Sequence, residues 1–122
     1  MAKTILILDD SVTLRQVVVM ALSEAGYQVV EAGDGQEGLA MLKTHKVHLI
    51  ISDVNMPNMD GIAFLKAVKQ LPDYKFTPVI MLTTEGSEAK KQEGQAAGAR
   101  AWVVKPFKPA QMLAAVAKLL PA

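Results

Sequence analysis

Ile5-Leu6-Ile7-Leu8 before Asp9-Asp10, Leu49-Ile50-Ile51-Ser52 before Asp53, Val79-Ile80-Met81-Leu82 before Thr83-Thr84, and Trp102-Val103-Val104 before Lys105-Pro106 are the stretches that decide the fold. Each run is short, rich in aliphatic residues and closed by a polar residue, as in a strand buried on both faces. If the runs lie parallel, their carboxyl ends stand side by side. Three carboxylates, a hydroxyl and an ammonium then meet at one edge of one sheet, the edge at which open α/β sheets bind ligands. Two carboxylates about 4 Å apart repel by roughly 4 kcal/mol at an effective dielectric of about 20. Such a cluster wants a divalent cation, and the nearby lysine wants an anion. The pair of requirements suggests Mg²⁺ and a phosphoryl group.

Outward from these runs the chain alternates between strand and helix. Residues 4–8 read as a strand. Residues 12–25 read as a helix with Leu14, Val17, Val18, Ala21 and Leu22 on its inward face and Gly26 as its stop. Residues 28–32 form a second strand. In Asp34-Gly35-Gln36-Glu37 a capping carboxylate stands three places before a glutamate, a variant of the capping box. The helix it opens runs to about residue 45 and buries Leu39 and Leu42. Residues 47–52 are the third strand; Asp60 or Gly61 opens a helix with Ile62, Leu65 and Val68 facing in, ended before Pro72. Residues 78–82 are the fourth strand, and Ser87 caps a weak helix reaching about residue 97. Residues 101–104 are the fifth strand. Lys108-Pro109 opens the last helix, with Met112, Leu113, Val116, Leu119 and Leu120 inside. The methionines at 20, 41, 81 and 112 are expected to fill the core. Five strands alternating with five helices imply an α/β domain with a parallel sheet covered on both faces. The connection 53–59 follows an aspartate-tipped strand and is expected to carry function, whereas 71–77 is read as a plain surface turn.

Bulk properties narrow the class. The 122 residues, 1–122, are expected to form one domain with a sizeable core. A net charge of +1 gives no electrostatic case for nucleic acid or an anionic membrane. The chain has no cysteine, which removes disulfides and thiolate metal sites. No signal-like segment opens it, and no apolar run approaches the roughly 18 residues of a membrane span. A cytoplasmic monomer that inserts into no membrane is the expectation.

Taken together, Leu8-Asp9-Asp10-Ser11, Ser52-Asp53-Val54-Asn55-Met56-Pro57-Asn58-Met59-Asp60-Gly61, Met81-Leu82-Thr83-Thr84-Glu85 and Val104-Lys105-Pro106-Phe107 resemble the receiver domain of two-component response regulators, and within it the single-domain chemotaxis type. The resemblance covers the whole chain. It implies a doubly wound, flavodoxin-like sheet of order 2-1-3-4-5. It implies that Asp53 accepts a phosphoryl group from a phosphohistidine on a histidine kinase. Asp10 and Asp53 would ligate Mg²⁺ directly, Asp9 through a water, and Asn55 through its backbone carbonyl. Lys105 and Thr83 would contact phosphoryl oxygens, and the Lys105-Pro106 bond would be cis. The downstream partner implied is a flagellar motor switch protein or another target, with a phosphatase as a further possible partner.

The same resemblance implies a switch in which Thr83 and the aromatic position Trp102 report phosphorylation to a face built from the fourth helix, fifth strand and fifth helix. Lys90, Lys91, Lys108 and Gln111 could line that face. Asn55 and Glu85 occupy the two positions that tune loss of the phosphoryl group. Gly94 costs the fourth helix about 1 kcal/mol relative to Ala, which suits a movable element. Taken singly, the motifs admit plainer readings: Asp9-Asp10 as a turn and cap, Thr83-Thr84 as ordinary strand residues, Trp102 as a static cover. Two other classes use similar parts. A haloacid-dehalogenase-like phosphohydrolase places its nucleophile on the first strand with a second Asp two residues on, and Asp9-Asp10-Ser11-Val12 has the wrong spacing. A flavodoxin-like cofactor binder would want a Ser/Thr/Gly-rich loop there. Within the family, a non-chemotaxis receiver or a phosphate sink stays open.

Overall fold

Doubly buried aliphatic strands demand cover on both faces, and the helices between them supply it. The computed structural model describes residues 3–84 and 88–120. The strands are β1 (Thr4–Leu8), β2 (Gln28–Ala32), β3 (Leu49–Asp53), β4 (Val79–Thr84) and β5 (Ala101–Lys105). Between and after them run α1 (Val12–Glu24), α2 (Gly35–Thr44), α3 (Gly61–Lys69), α4 (Glu88–Ala97) and α5 (Pro109–Leu119). All four pairings are parallel and the order is β2-β1-β3-β4-β5, as the resemblance implies.

The two-residue period of the strands divides the core into two layers. Leu6, Leu8, Ile50, Val79 and Met81 face one side and pack with Leu42 of α2 and Phe64, Leu65 and Val68 of α3. Ile5, Ile7, Leu49, Ile51, Ile80 and Leu82 face the other and pack with Val18 and Leu22 of α1 and Met112 and Val116 of α5. Short polar side chains start three of the helices, Asp34 and Asp60 as expected and Ser11 besides. Ser11 Oγ accepts from Leu14 N at 3.3 Å, Asp34 Oδ1 from Glu37 N at 2.9 Å, and Asp60 Oδ1 from Ala63 N at 2.8 Å. Glu37 completes its box one residue early, accepting from Gly33 N rather than from the cap itself. The expected Ser87 cap lies outside the described residues.

Three expectations are corrected. Val17 is 45% and Met20 63% exposed, so neither belongs to the core. The inward stripe of α1 follows Leu14, Val18 and Leu22 at four-residue spacing, and Val17 and Met20 fall off it to the solvent side. The segment 71–77 is not a plain surface turn. Tyr74 is buried there, its hydroxyl lying 2.7 Å from His45 O and 3.1 Å from Leu42 O, both carbonyls at the end of α2. The same oxygen accepts from Val47 N at 3.4 Å. One phenol thus satisfies backbone groups at the end of α2 and the entry to β3.

Tyr74→Phe keeps the ring and strands those groups. It should lower stability by about 1–3 kcal/mol, read as a shift in the urea midpoint without a change in m-value. An unshifted midpoint would show that water replaces the hydroxyl.

Candidate functional site

Register brings the acidic residues together. Leu8 of β1 pairs with Ser52 of β3, so the next residues, Asp9 and Asp53, leave the sheet side by side. Both continue the strand face that points toward α1 and α5, and so does Lys105 of β5, which pairs with Thr84. Lys105 reaches back across the end of β4. Its Nζ lies 3.0 Å from Asp9 Oδ2 and 3.1 Å from Asp53 Oδ2. Thr83, next to last in β4, lies on the opposite face and is 3% exposed. The Lys105-Pro106 bond is cis.

Asp9, Asp10 and Asp53 each offer a carboxylate oxygen within 4.8 Å of the others. Asp9 and Asp53 are buried and Asp10 is exposed. Oxygen donors of this kind suit a hard divalent cation, and Mg²⁺ needs only one or two protein carboxylates with waters and phosphate oxygens. Asn55 stands exposed two residues past Asp53, its N–H 3.4 Å from Asp53 Oδ1. Burial pushes the Asp53 carboxyl above its ordinary range; the hydrogen bond from Lys105 pulls it back and the neighbouring charge of Asp9 raises it further. For Lys105, burial works against the charge, but the hydrogen bonds to Asp9 and Asp53 outweigh it and raise the ammonium above its ordinary value.

Sequence reasoning missed Arg15. At the close of the first turn of α1, its Nη1 donates to Asp9 O at 2.6 Å and to Ala32 O at 3.4 Å, while Nε pairs with Glu31 at 3.0 Å. It ties α1 to the ends of β1 and β2, directly behind the acidic turn. An arginine at the margin of the buried α1 stripe was the available signal. Asp9 also folds its own turn, accepting from Ser11 N at 2.8 Å.

Trp102 is seated against α4. A Cβ on Gly94 would fall 2.4 Å from its Cζ2 and 2.5 Å from its Cη2. Gly94 is thus the space that the indole occupies, a second meaning beside its helix-weakening one. The indole Nε1 is buried with no hydrogen-bond partner among the described residues. Lys90, Lys108 and Gln111 are exposed and Lys91 half-buried, but Gln111 is engaged, its Oε1 accepting from Lys108 N at 2.8 Å to start α5. Glu85 lies outside the described residues.

Residues 5–117 match the response regulator receiver domain family. A probable chemotaxis protein CheY of Rhizobium etli is 42% identical over 113 residues, 92% of this chain and 88% of that protein. The transcriptional regulatory protein SrrA of Staphylococcus aureus is 36% identical over 120 residues, and the chain spans 48% of its length. Among solved structures, chemotaxis protein CheY4 of Vibrio cholerae superposes with a TM-score of 0.94 at 49% identity, over 98% of this chain and all of that one.

A carboxyl whose pKa rises on folding stabilises the folded state only while protonated; that contribution is present below its ordinary pKa and is lost as pH rises through the raised one. At neutral pH an ionised Asp53 therefore destabilises the metal-free protein. Asp53→Asn should raise the urea midpoint of metal-free protein at neutral pH, and the gain should shrink as the pH is lowered through the acid range. A midpoint that falls on substitution would mean that Asp53 is stabilised in its charged form.

Proposed function

Because the chain belongs to the response regulator receiver domain family, we propose that Asp53 accepts a phosphoryl group from the phosphohistidine of a histidine kinase and that residues 1–122 act as one receiver unit. The observation that carries this reading is the Lys105 ammonium set between Asp9 and Asp53 at 3.0 and 3.1 Å. An Asp53 carboxylate oxygen attacks phosphorus, the P–N bond to the imidazole breaks, and its electron pair returns to the ring nitrogen, which takes up a proton. The product is an acyl phosphate on Asp53. Such a transfer asks for alignment and charge neutralisation more than covalent chemistry.

Asp9, Asp10, Asp53 and the Asn55 carbonyl would hold Mg²⁺. When bound, it supplies positive charge that lets an anionic phosphoryl group approach an anionic site. Lys105 is placed to exchange its contact with Asp53 for one with a phosphoryl oxygen. Its four-carbon stem leaves the ammonium free to follow the charge. Thr83 offers a hydroxyl at the end of β4. Asn55, and Glu85 from its place in the sequence, would orient the water that later hydrolyses the acyl phosphate. The protein is then a signalling phosphoprotein that turns over no separate substrate.

The face formed by α4, β5 and α5 would pass the signal on. Trp102 joins it to the site, because Trp102 and Thr83 share one side of the sheet. Likeness to proteins named for chemotaxis supports that pathway; in it the target would be a flagellar motor switch protein and an auxiliary phosphatase a further partner, with the receiver acting as a cytoplasmic monomer. Likeness to SrrA supports the second reading, a receiver in another pathway or a phosphate sink. Pull-down of the phosphorylated chain by a motor switch protein separates the two.

Incubated with a small phosphodonor and Mg²⁺, the wild-type chain should gain the mass of one phosphoryl group, and neither Asp53→Asn nor wild type in excess chelator should do so. Modification that survives the substitution would place the acceptor elsewhere. Trp102 is the sole tryptophan, so its emission should change with saturating phosphate mimic; a fixed spectrum would remove it from the switch.

A further inference from the structure

The connection from β3 to α3 begins at the acceptor Asp53 and passes Asn55 two residues later. Further along it, Asn58 has φ 66°, a left-handed conformation that asparagine adopts more readily than most side-chain-bearing residues. So turned, Asn58 Nδ2 donates to Asp34 Oδ2 at 2.8 Å. Asp34 is 7% exposed, and its other oxygen is the acceptor that caps α2. Capping α2 needs one acceptor oxygen, which Ser, Thr or Asn could supply. Only a carboxylate also presents a second acceptor to Asn58. Hydrogen bonds from Glu37 N and from Asn58 hold the Asp34 carboxyl below its ordinary range, keeping it an ionised acceptor. A second tie lies alongside: Gly35 N donates to Met59 O at 3.3 Å, and a Cβ on Gly35 would come within 2.7 Å of Met59 Cγ. Gly35 lets the loop rest directly on the first turn of α2.

We propose that Asp34 and Asn58 are positioning residues, whose side-chain hydrogen bond latches the β3–α3 loop onto the start of α2 and so sets where Asn55 stands relative to Asp53 and the acidic pocket. The proposal rests on the reading of Asp53 and Asn55 given above. Neither residue touches the reacting atoms. Each acts through the backbone of the loop, as outer-shell partners of metal ligands do. The loop's other bonds hold its ends: Val54 N reaches Leu82 O, Asn55 N lies 3.4 Å from Asp53 Oδ1, and Gly61 N of α3 reaches Val54 O, while Met59 N–Pro57 O is internal to the loop; none of these ties the loop to α2.

Three variants of the full chain test the latch. Asn58→Gly keeps the left-handed backbone relaxed and removes the amide. Asp34→Ser keeps a capping oxygen, lacks the second one, and leaves the loop sequence untouched. Both should weaken Mg²⁺ binding on the order of tenfold by titration calorimetry, and both should speed amide hydrogen exchange at Asn55 and Met56 while exchange in β1 and α5 stays unchanged. The swap of Asp34→Asn with Asn58→Asp conserves the charge of the pair, keeps a capping acceptor at position 34, and rebuilds the bond with donor and acceptor exchanged. It should restore both readouts most of the way. A purely structural role would instead lower the urea midpoint and leave Mg²⁺ affinity and local exchange where they were, and that result overturns the proposal. So does a folded swap variant that recovers neither readout; if the swap does not fold, the single variants decide. Should the wild type bind no Mg²⁺, the assignment of Asp53 and Asn55 fails, while exchange at residues 55–56, which needs no metal, still decides the latch.

Discussion

Lys105 between Asp9 and Asp53 is the contact on which the site depends. Three carboxylates converge at the carboxyl edge of the sheet, and one ammonium faces two of them. That ammonium makes the arrangement tolerable, since two buried carboxylates alone would repel and one would take up a proton. It does not make the arrangement neutral. The remaining negative charge is the kind that a divalent cation would offset, and the lysine head, on its four-carbon stem, is the group that would answer a phosphoryl group in the proposed transfer. Structure and chemistry here share one cause, an incomplete charge balance held in a dry place.

The sheet keeps that balance incomplete. Ile5, Ile7, Leu49 and Ile51 are fully buried behind Asp9 and Asp53, so the acids cannot relax by moving the strands apart without opening the core. Arg15 adds a second restraint, bonding the carbonyl of Asp9 and pinning α1 to the ends of β1 and β2. On the far side, the bond between Asp34 and Asn58 ties the β3–α3 loop to α2. The pocket is therefore bounded by rigid strands below and by side-chain hydrogen bonds on two flanks.

The opposite half of the molecule is built more loosely. β5 is partly exposed along its length and Val104 is 45% exposed, while α4 buries little besides Gly94. Trp102 fills the space that glycine leaves, with its indole N–H buried and without a partner among the described residues. An unpaired buried donor costs about 1–3 kcal/mol. An element with few apolar anchors, packed on a ring with an unsatisfied group, has little to hold it in a single arrangement. That contrast with the anchored half accords with a site on one side and a signalling face on the other.

Much was legible in the chain itself. The aliphatic runs, their polar ends, and the caps at Ser11, Asp34 and Asp60 are local signals, because hydrophobic periodicity and capping depend on residues a few places apart. Asp9, Asp10, Asp53, Thr83 and Lys105 could be singled out because each follows closely on an aliphatic run, at or close to a strand's carboxyl end. Other features depend on contacts that no local pattern encodes. The inward stripe of α1 left out Val17 and Met20, since a broad apolar face does not say which residues meet the sheet. Tyr74 looked like part of a turn until the end of α2 came within reach of its hydroxyl. Gly94 read as a weakness until Trp102 filled its place, and Asn58 had no role until Asp34 stood opposite it, 24 positions away in the chain. A residue's type and spacing announce what it can bond to; only the packed chain brings the partner to it.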